Sequence, residues 1–535
     1  MDLQKSAAAA FAAKWQGKGD EKQDSQRFWI ELLQKVYGVE DPASFVRFET
    51  RVKLSHTSFI DVMIPATHTM IEQKGRGVDL EKPIRQSDGT LLKPAEQAKR
   101  YAAALPLAYQ DQVPPSSAVS DLERLETAEA SGLVEIKLNA PYGDDGSHQH
   151  IKLFRNGRPR PLSTVLPVFE NLGVTVLSEQ PFKLEHSELH MADFAVLLPR
   201  ADALDDEATR SAFIALLEKL LRDEAENDGF NRLVLLAGLD DARVTVLRAY
   251  ARYLRQAGLP FSQVYIERSL AAHPHIAALL AELFVARLGP EADEARETEI
   301  NAEIDAALAR VTNLDDDRIL AGFRTVILAT LRTNAWQNGA DGKAKPYLSF
   351  KLSSQQIPFL PKPVPLYEIF VYSPRVEGVH LRGSRVARGG LRWSDRMEDF
   401  RTEVLGLVKA QMVKNAVIVP LGSKGGFVGK RLPAPSDRDA FMAEGIACYQ
   451  TFIRGLLDLT DNLVDGKVVP PAGVRRRDGD DPYLVVAADK GTASFSDIAN
   501  GIAIEYGFWL GDAFASGGSV GYDHKKMGIT ARGAW

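Results

Sequence analysis

The chain has 535 residues, of which 45% are hydrophobic, 25% charged and 8% aromatic. That is length for several domains, and a composition that excludes wholesale disorder and a fibrous repeat. A net charge of −6 gives no bulk basicity toward nucleic acid or anionic membrane, so any such binding has to be local.

Taken in order, the alanine-rich start at Ser6–Ala13 reads as helix, since it leads straight into charge rather than a cleavage site. QDSQRFWIELLQKVYG spaces Phe28, Trp29, Leu32, Leu33 and Val36 as a helix ended by Gly38. Three β-rich segments follow as far as Lys74, and Pro94 opens a second helical pattern over KPAEQAKRYAAAL. Residues 1–106 carry 16 Lys and Arg against 14 Asp and Glu. Beyond them DQVPPSSAVSD has the Pro, Ser and Asp of a linker or turn, which puts a boundary near 106. Next comes a ββαββ pattern whose helix turns Val165, Leu166, Val168, Phe169 and Leu172 inward. From Asp206 to about Asn334 the chain reads as successive amphipathic helices. From Pro346 the β-rich runs YLSFKLS, LYEIFVYSP, GVHLRGSRVARGG, NAVIVPL and YLVVAA alternate with helices starting near Arg401, Arg438, Phe495 and Ile504, an α/β order. The expected organisation is thus an α/β multidomain chain divided into residues 1–106, 107–205, 206–345 and 346–535.

One cysteine, Cys448, cannot form an intrachain disulfide and fits a reducing, cytoplasmic compartment. No run approaches the ~20 apolar residues that a membrane-spanning helix needs. No pair of histidines has a compelling metal spacing; His148 and His150 fall in a Gly/Asp loop and are expected to be exposed.

Two stretches carry chemistry. SFIDVMIPATHTMIEQK places Asp61 on one strand and Glu72 with Lys74 on the next, where i and i+2 share a face. Two carboxylates brought together by a hairpin can hold Mg²⁺, and a nearby lysine can orient an attacking water. By spacing alone, E-x-K is equally a solvated strand face. Gln97 and Tyr101 form Q-x-x-x-Y on the following helix, pointing one way.

The second stretch is GSRVARGGLRWSDRMEDFRTEVLGLVKAQMVKNAVIVPLGSKGGFVGK. Gly389 and Gly390 permit tight backbone geometry. Lys414 follows a helix with Val404, Leu405, Leu407, Val408 and Met412 buried, and Lys424 sits between glycine pairs. Several cations in one cleft suit a dicarboxylate, and a lysine crowded by cations is usable as a base. The same spacing also reads as a basic surface turn or a phosphate cradle, although G-x-x-x-x-G-K-[ST] is missing. Asp489 is either a helix N-cap before GTASFSDIAN or a functional carboxylate. Asp395, Arg396, Asp523, His524 and Lys525 read as solvated loop charges.

Residues 1–106, through EKQDSQRFWIELL, IEQKGRGVDLEKP and QSDGTLLKPAEQAKRYAAALP, resemble the endonuclease domain of single-chain type II restriction-modification enzymes. The resemblance implies a PD-(D/E)XK-like α/β module, Mg²⁺ held by Asp61 and Glu72, assistance from Lys74, and DNA as partner. From about Tyr109 on, the second stretch with PYLVVAADKGTASFSDIANGIA and SGGSVGYDHKKMGITARGAW resembles the large type of bacterial NAD-specific glutamate dehydrogenase. That resemblance implies an ACT-like α+β module at 107–205, a helical region, and the substrate domain at 346–535. It also implies a homo-oligomer that oxidatively deaminates L-glutamate to 2-oxoglutarate and ammonia. Lys424 then matches the lysine that activates water, Asp489 the proton shuttle, and Lys414 a substrate-carboxylate ligand. Arg388, beside Gly389 and Gly390, stands where smaller glutamate dehydrogenases have a lysine. The resembled family continues past ITARGAW into a Rossmann-type NAD domain. No G-x-G-x-x-G stands between a strand and a helix in this sequence. The expectation is therefore a truncated, inactive fragment or fusion.

Overall fold

The computed structural model describes residues 2–16, 25–53, 57–64, 69–71, 82, 84–85, 91–92, 109, 113, 115–139, 148–184, 187–291, 293–414 and 421–519. The architecture is mixed α/β, as expected. Two compact units are formed: Met1–Phe169 with Val174–Leu198, and Glu170–Gly173 with Pro199–Trp535.

In the first unit, α1 (Asp2–Trp15) and α2 (Ser25–Lys35) meet through Phe28, whose ring lies 5.2 Å from Phe11 and 5.3 Å from Trp15. A short α3 (Pro42–Phe45) leads into an antiparallel sheet of β1 (Arg47–Lys53), β2 (Thr57–Ile64) and β3 (Thr69–Ile71). These are the three expected strands, with Val62 paired to Ile71. Strands β4 (Ile84–Arg85) and β5 (Leu91–Leu92) pair separately. The helix expected after Pro94 and the boundary at 106 lie outside the described residues.

The linker expected at DQVPPSSAVSD is instead the start of a 17-residue helix, α4 (Pro115–Ser131). Pro115 takes the first helical position, where its missing N–H costs nothing. Ala118, Asp121, Leu125 and Ala128 then fall on one buried stripe. The ββαββ order is present as β6 (Glu135–Asn139), β7 (Gln149–Asn156), α5 (Leu162–Asn171), β8 (Thr175–Lys183) and β9 (Leu189–Leu197). The sheet is antiparallel in the order β6-β7-β9-β8. Contrary to expectation His148 and His150 are partly buried; His150 belongs to β7, where its Nδ1 lies 3.0 Å from Asp193.

The second unit opens on seven helices: α6 (Glu207–Leu221), α7 (Leu233–Ala237), α8 (Asp241–Gln256), α9 (Gln263–Ala272), α10 (Pro274–Leu288), α11 (Glu294–Leu308) and α12 (Leu314–Ala329). Five of them start at polar joints, where Asp206, Asp240, Ser262, Asp293 and Asn313 each accept first-turn N–H groups as N-caps. Among the described residues no single helix is long and apolar enough to cross a membrane. One pair, α9 with α10, passes by composition only and is bent by 99°.

The remainder builds one eight-stranded sheet. In chain order come β10 (Thr330–Thr333), β11 (Leu348–Ser353), β12 (Tyr367–Tyr372), β13 (Val376–Arg382), β14 (Arg388–Trp393), α13 (Phe400–Lys414), β15 (Ser423–Gly429) and α14 (Arg438–Leu457). A hairpin of β16 (Asn462–Val464) and β17 (Lys467–Val469) follows, then β18 (Val485–Ala488), α15 (Ser496–Glu505) and β19 (Ala515–Ser516). The order β10-β11-β12-β13-β15-β14-β18-β19 is antiparallel from β10 to β15 and parallel from β15 to β19.

One face of the parallel half carries the core, where Leu391, Phe427 and Val486 pack with Tyr449, Phe452 and Phe495. On the other face Val404 of α13 lies directly against Gly426. Helix α13 is pinned at its start. Arg401 is fully buried and binds Glu368 of β12 through two nitrogens, Nε at 2.8 Å. The Tyr253 hydroxyl of α8 donates to the same carboxylate at 3.0 Å. A helix expected to start near Ile504 does not exist: Ile504 lies in the last turn of α15, which ends because Gly507 takes φ +59. The expected strand NAVIVPL lies outside the described residues, apart from Leu421.

Candidate active site

Strand alternation decides which side chains meet. On β14, Leu391 points into the core, so Gly390 and Arg392 occupy the opposite face. On β15, Gly425 and Phe427 share the core face and Lys424 takes the other. Parallel pairing sets Leu391 opposite both Gly425 and Ala488. Lys424 and Asp489, 65 residues apart in sequence, therefore flank Gly390. Lys424 Nζ donates to Asp489 Oδ2 at 2.7 Å.

The glycines are needed for approach rather than for a turn. A Cβ on Gly389 would fall 1.5 Å from the Ser423 carbonyl oxygen. One on Gly390 would fall 2.7 Å from the Ala488 oxygen and 3.2 Å from Lys424 Nζ, filling the space between the two charged groups. Lys424 is thus on a strand, not in a surface turn. Among the described residues its partner is the carboxylate of Asp489.

Asp489 is not a helix cap either, because α15 begins seven residues later at Ser496. Its backbone N–H donates to Thr492 Oγ1 at 3.0 Å, and Thr492 donates in turn to the Leu391 carbonyl at 2.7 Å, so the turn after β18 is tied to β14. Burial opposes ionisation of Asp489. Hydrogen bonds from Lys424 and the Lys490 N–H, with the charges of Lys424 and Arg392, outweigh it and hold the carboxyl below its usual range.

Sequence reasoning missed a second line of residues. Arg392 NH2 lies 3.4 Å from Asp489 Oδ1, and its NH1 donates to Glu403 Oε1 at 2.8 Å. Ser394 Oγ donates to the other Glu403 oxygen at 2.6 Å. Burial works against the Glu403 charge, but Ser394 and Arg392 prevail and keep its carboxyl low. Gln411 of α13 was missed as well. Its Oε1 is buried without a hydrogen-bond partner among the described residues, 2.9 Å and 3.1 Å from where a Cβ on Gly422 or Gly389 would sit. A strand over 388–393 would have signalled Arg392, two residues from Gly390.

Arg388 opens β14, half-buried and without an ion pair among the described residues. Lys414 is the last residue of α13; its side chain lies outside the described part. Asp395 and Arg396 are exposed, as expected, with Arg396 paired to Asp399. Asp61 lies on β2, whereas Glu72, Lys74, Gln97, Tyr101, Asp523, His524 and Lys525 lie outside the described residues. No group of three or more His, Cys, Asp and Glu among the described residues is placed to hold a metal ion.

Comparison with known families finds matches over most of the chain. Residues 303–535 match the bacterial NAD-glutamate dehydrogenase catalytic domain, and residues 225–290 the glutamate dehydrogenase helical motif 3. This is homology to an oxidoreductase family. Residues 6–234 match the MmeI N-terminal domain, so a joined chain fits. Three curated relatives are named NAD-specific glutamate dehydrogenase. The chain is 52% identical to that of Halomonas elongata over 440 residues, 82% of this chain and 27% of the relative. It is 54% identical to that of Pseudomonas aeruginosa over 450 residues, 81% and 27%. For Mycobacterium tuberculosis the figures are 50% over 463 residues, 82% and 28%. The chain spans little more than a quarter of the length of these relatives.

Proposed function

We propose that the face of β14, β15 and β18 holds L-glutamate or 2-oxoglutarate for NAD-dependent oxidative deamination. The observation that carries this reading is the Lys424–Asp489 pair, 2.7 Å apart over a glycine floor. Arg388, Lys414 and Gln411 are assigned to the substrate's carboxylates and backbone-like polar groups, with Gly389 and Gly390 leaving room for them. Once the substrate has lost hydride from its Cα, Lys424, having passed its own proton to Asp489, takes one from the water that attacks the imine carbon. Asp489 carries a proton to the amino group, which leaves as ammonia.

NAD, when bound, supplies the hydride acceptor. Among the described residues no G-x-G-x-x-G turn between a strand and a helix offers a dinucleotide cradle, so the roles assigned here concern the substrate and its protons. The same reading carries the ACT-like assignment of residues 107–205, self-association and a cytoplasmic location. This reading takes the chain as active, against the expectation of an inactive fragment; glutamate-dependent NADH formation by the purified chain tests it, and none under any glutamate or NAD concentration counts against it.

The match of residues 6–234 to the MmeI N-terminal domain supports a second reading, a Mg²⁺-dependent DNA endonuclease built on Asp61, Glu72 and Lys74. The pair Val62↔Ile71 adjoins Asp61 and Glu72 in sequence. Plasmid nicking with Mg²⁺ is expected to disappear in Lys74→Ala; equal nicking by both proteins removes the assignment.

A further inference from the structure

We propose that Arg392 is a positioning residue that shares its charge between Asp489 and Glu403 and thereby sets the pH at which Asp489 exchanges its proton. The inference rests on the role proposed above for Asp489.

Three elements bring the groups together. Among the described residues the charged groups facing Asp489 are Lys424 from β15 and Arg392 from β14, with Glu403 of α13 behind Arg392. The backbone N–H of Lys490 adds a donor from the turn itself. Side-chain exposures of 12% for Lys424, 17% for Asp489, 19% for Arg392 and 17% for Glu403 leave these charges only weakly screened by water.

The two contacts of Arg392 are unequal. Glu403 is held at 2.8 Å and is itself fixed by Ser394, whereas Asp489 is approached only to 3.4 Å. A guanidinium has five donors in a rigid fork, and Nε of Arg392 is buried without a partner among the described residues. Arg392 therefore has donor capacity in reserve, and Glu403 draws it away from Asp489. Lys424 alone would hold the aspartate ionised through one oxygen. The second cation acts on the other oxygen, and the strength of that action is regulated by Glu403.

The arrangement predicts shifts of opposite sign from two neighbouring substitutions. Arg392→Gln removes a cation from Asp489 and disfavours its ionised form. Glu403→Gln removes a negative charge and releases Arg392 toward Asp489, favouring the ionised form. A loosening of packing would move both variants the same way.

The full chain labelled with ¹³C-aspartate is titrated by NMR, and the Asp489 resonance is assigned by its loss in Asp489→Asn. The midpoint is expected to rise by about one pH unit in Arg392→Gln, to fall in Glu403→Gln, and to return toward the original value in Arg392→Lys. Shifts of the same sign in the two Gln variants, or an unmoved midpoint in Arg392→Gln, overturn the proposal. The titration needs no turnover, so absence of glutamate-dependent NADH formation would defeat the functional reading while leaving this result to stand or fall separately.

Discussion

On the function proposed above, Lys424→Ala is expected to lower glutamate-dependent NADH formation by roughly 10²- to 10⁴-fold in kcat, the range typical of losing a positioned general base. The substitution removes the nitrogen that meets Asp489 but leaves the strand intact, since Lys424 is paired to Leu381 of β13 and β15 also pairs with β14 from Gly425 on. Asp489 stays tied by the Lys490 N–H and by the Thr492 turn. The fold should therefore survive, and the loss should appear mainly in kcat. Lys424→Arg keeps the charge but cannot give up a proton near neutrality, so it is expected to bind substrate and still fail in turnover. Activity of Lys424→Ala within threefold of the parent would remove Lys424 from the chemistry.

The largest expected loss of stability comes from Glu368→Ala. Glu368 and Arg401 are both fully buried, and the carboxylate also accepts the Tyr253 hydroxyl. Removing it strands a guanidinium and a phenol in the interior, a change that costs about 3–5 kcal/mol. Because Arg401 lies in the first turn of the helix that carries Glu403 and Gln411, substrate affinity should fall with stability. Urea unfolding should show a markedly lower midpoint, whereas Asp399→Ala, which breaks an exposed pair with Arg396, should leave the midpoint unchanged. Equal midpoints for the parent and Glu368→Ala would show that the pair is not holding α13 to β12.

Local pattern made much of this architecture legible. Helices α6 to α12 follow from apolar spacing broken by polar joints, and the ββαββ order from alternation on either side of α5. Where the reading failed, composition had stood in for position. Pro115 with its serines looked like a linker, yet proline at a first helical position favours a helix when Ala118, Leu125 and Ala128 complete a stripe. Ile504 looked like a new start because nothing local tells a helix end from a beginning until Gly507 turns left-handed.

The site was legible only in part for a different reason. Lys424 and Asp489 meet through the parallel pairing of β15, β14 and β18, a long-range register that spacing cannot express; resemblance supplied both. Arg392 stayed hidden because GVHLRGSRVARGG was taken as one run. In the structure it is two strands, β13 and β14, separated by residues 383–387, and only the second strand puts Arg392 on the face of Gly390.

A dicarboxylate site over Gly390 beside Lys424 should be visible as residue-resolved protection. The purified chain is treated with an amine-acylating reagent with and without 2-oxoglutarate, and labelling of each lysine is followed by mass spectrometry. Saturating 2-oxoglutarate is expected to slow labelling of Lys424 at least tenfold, an aliphatic monocarboxylate of similar length to protect far less, and the exposed Lys467 to be unaffected. Labelling of Lys424 at the same rate with and without 2-oxoglutarate would contradict it.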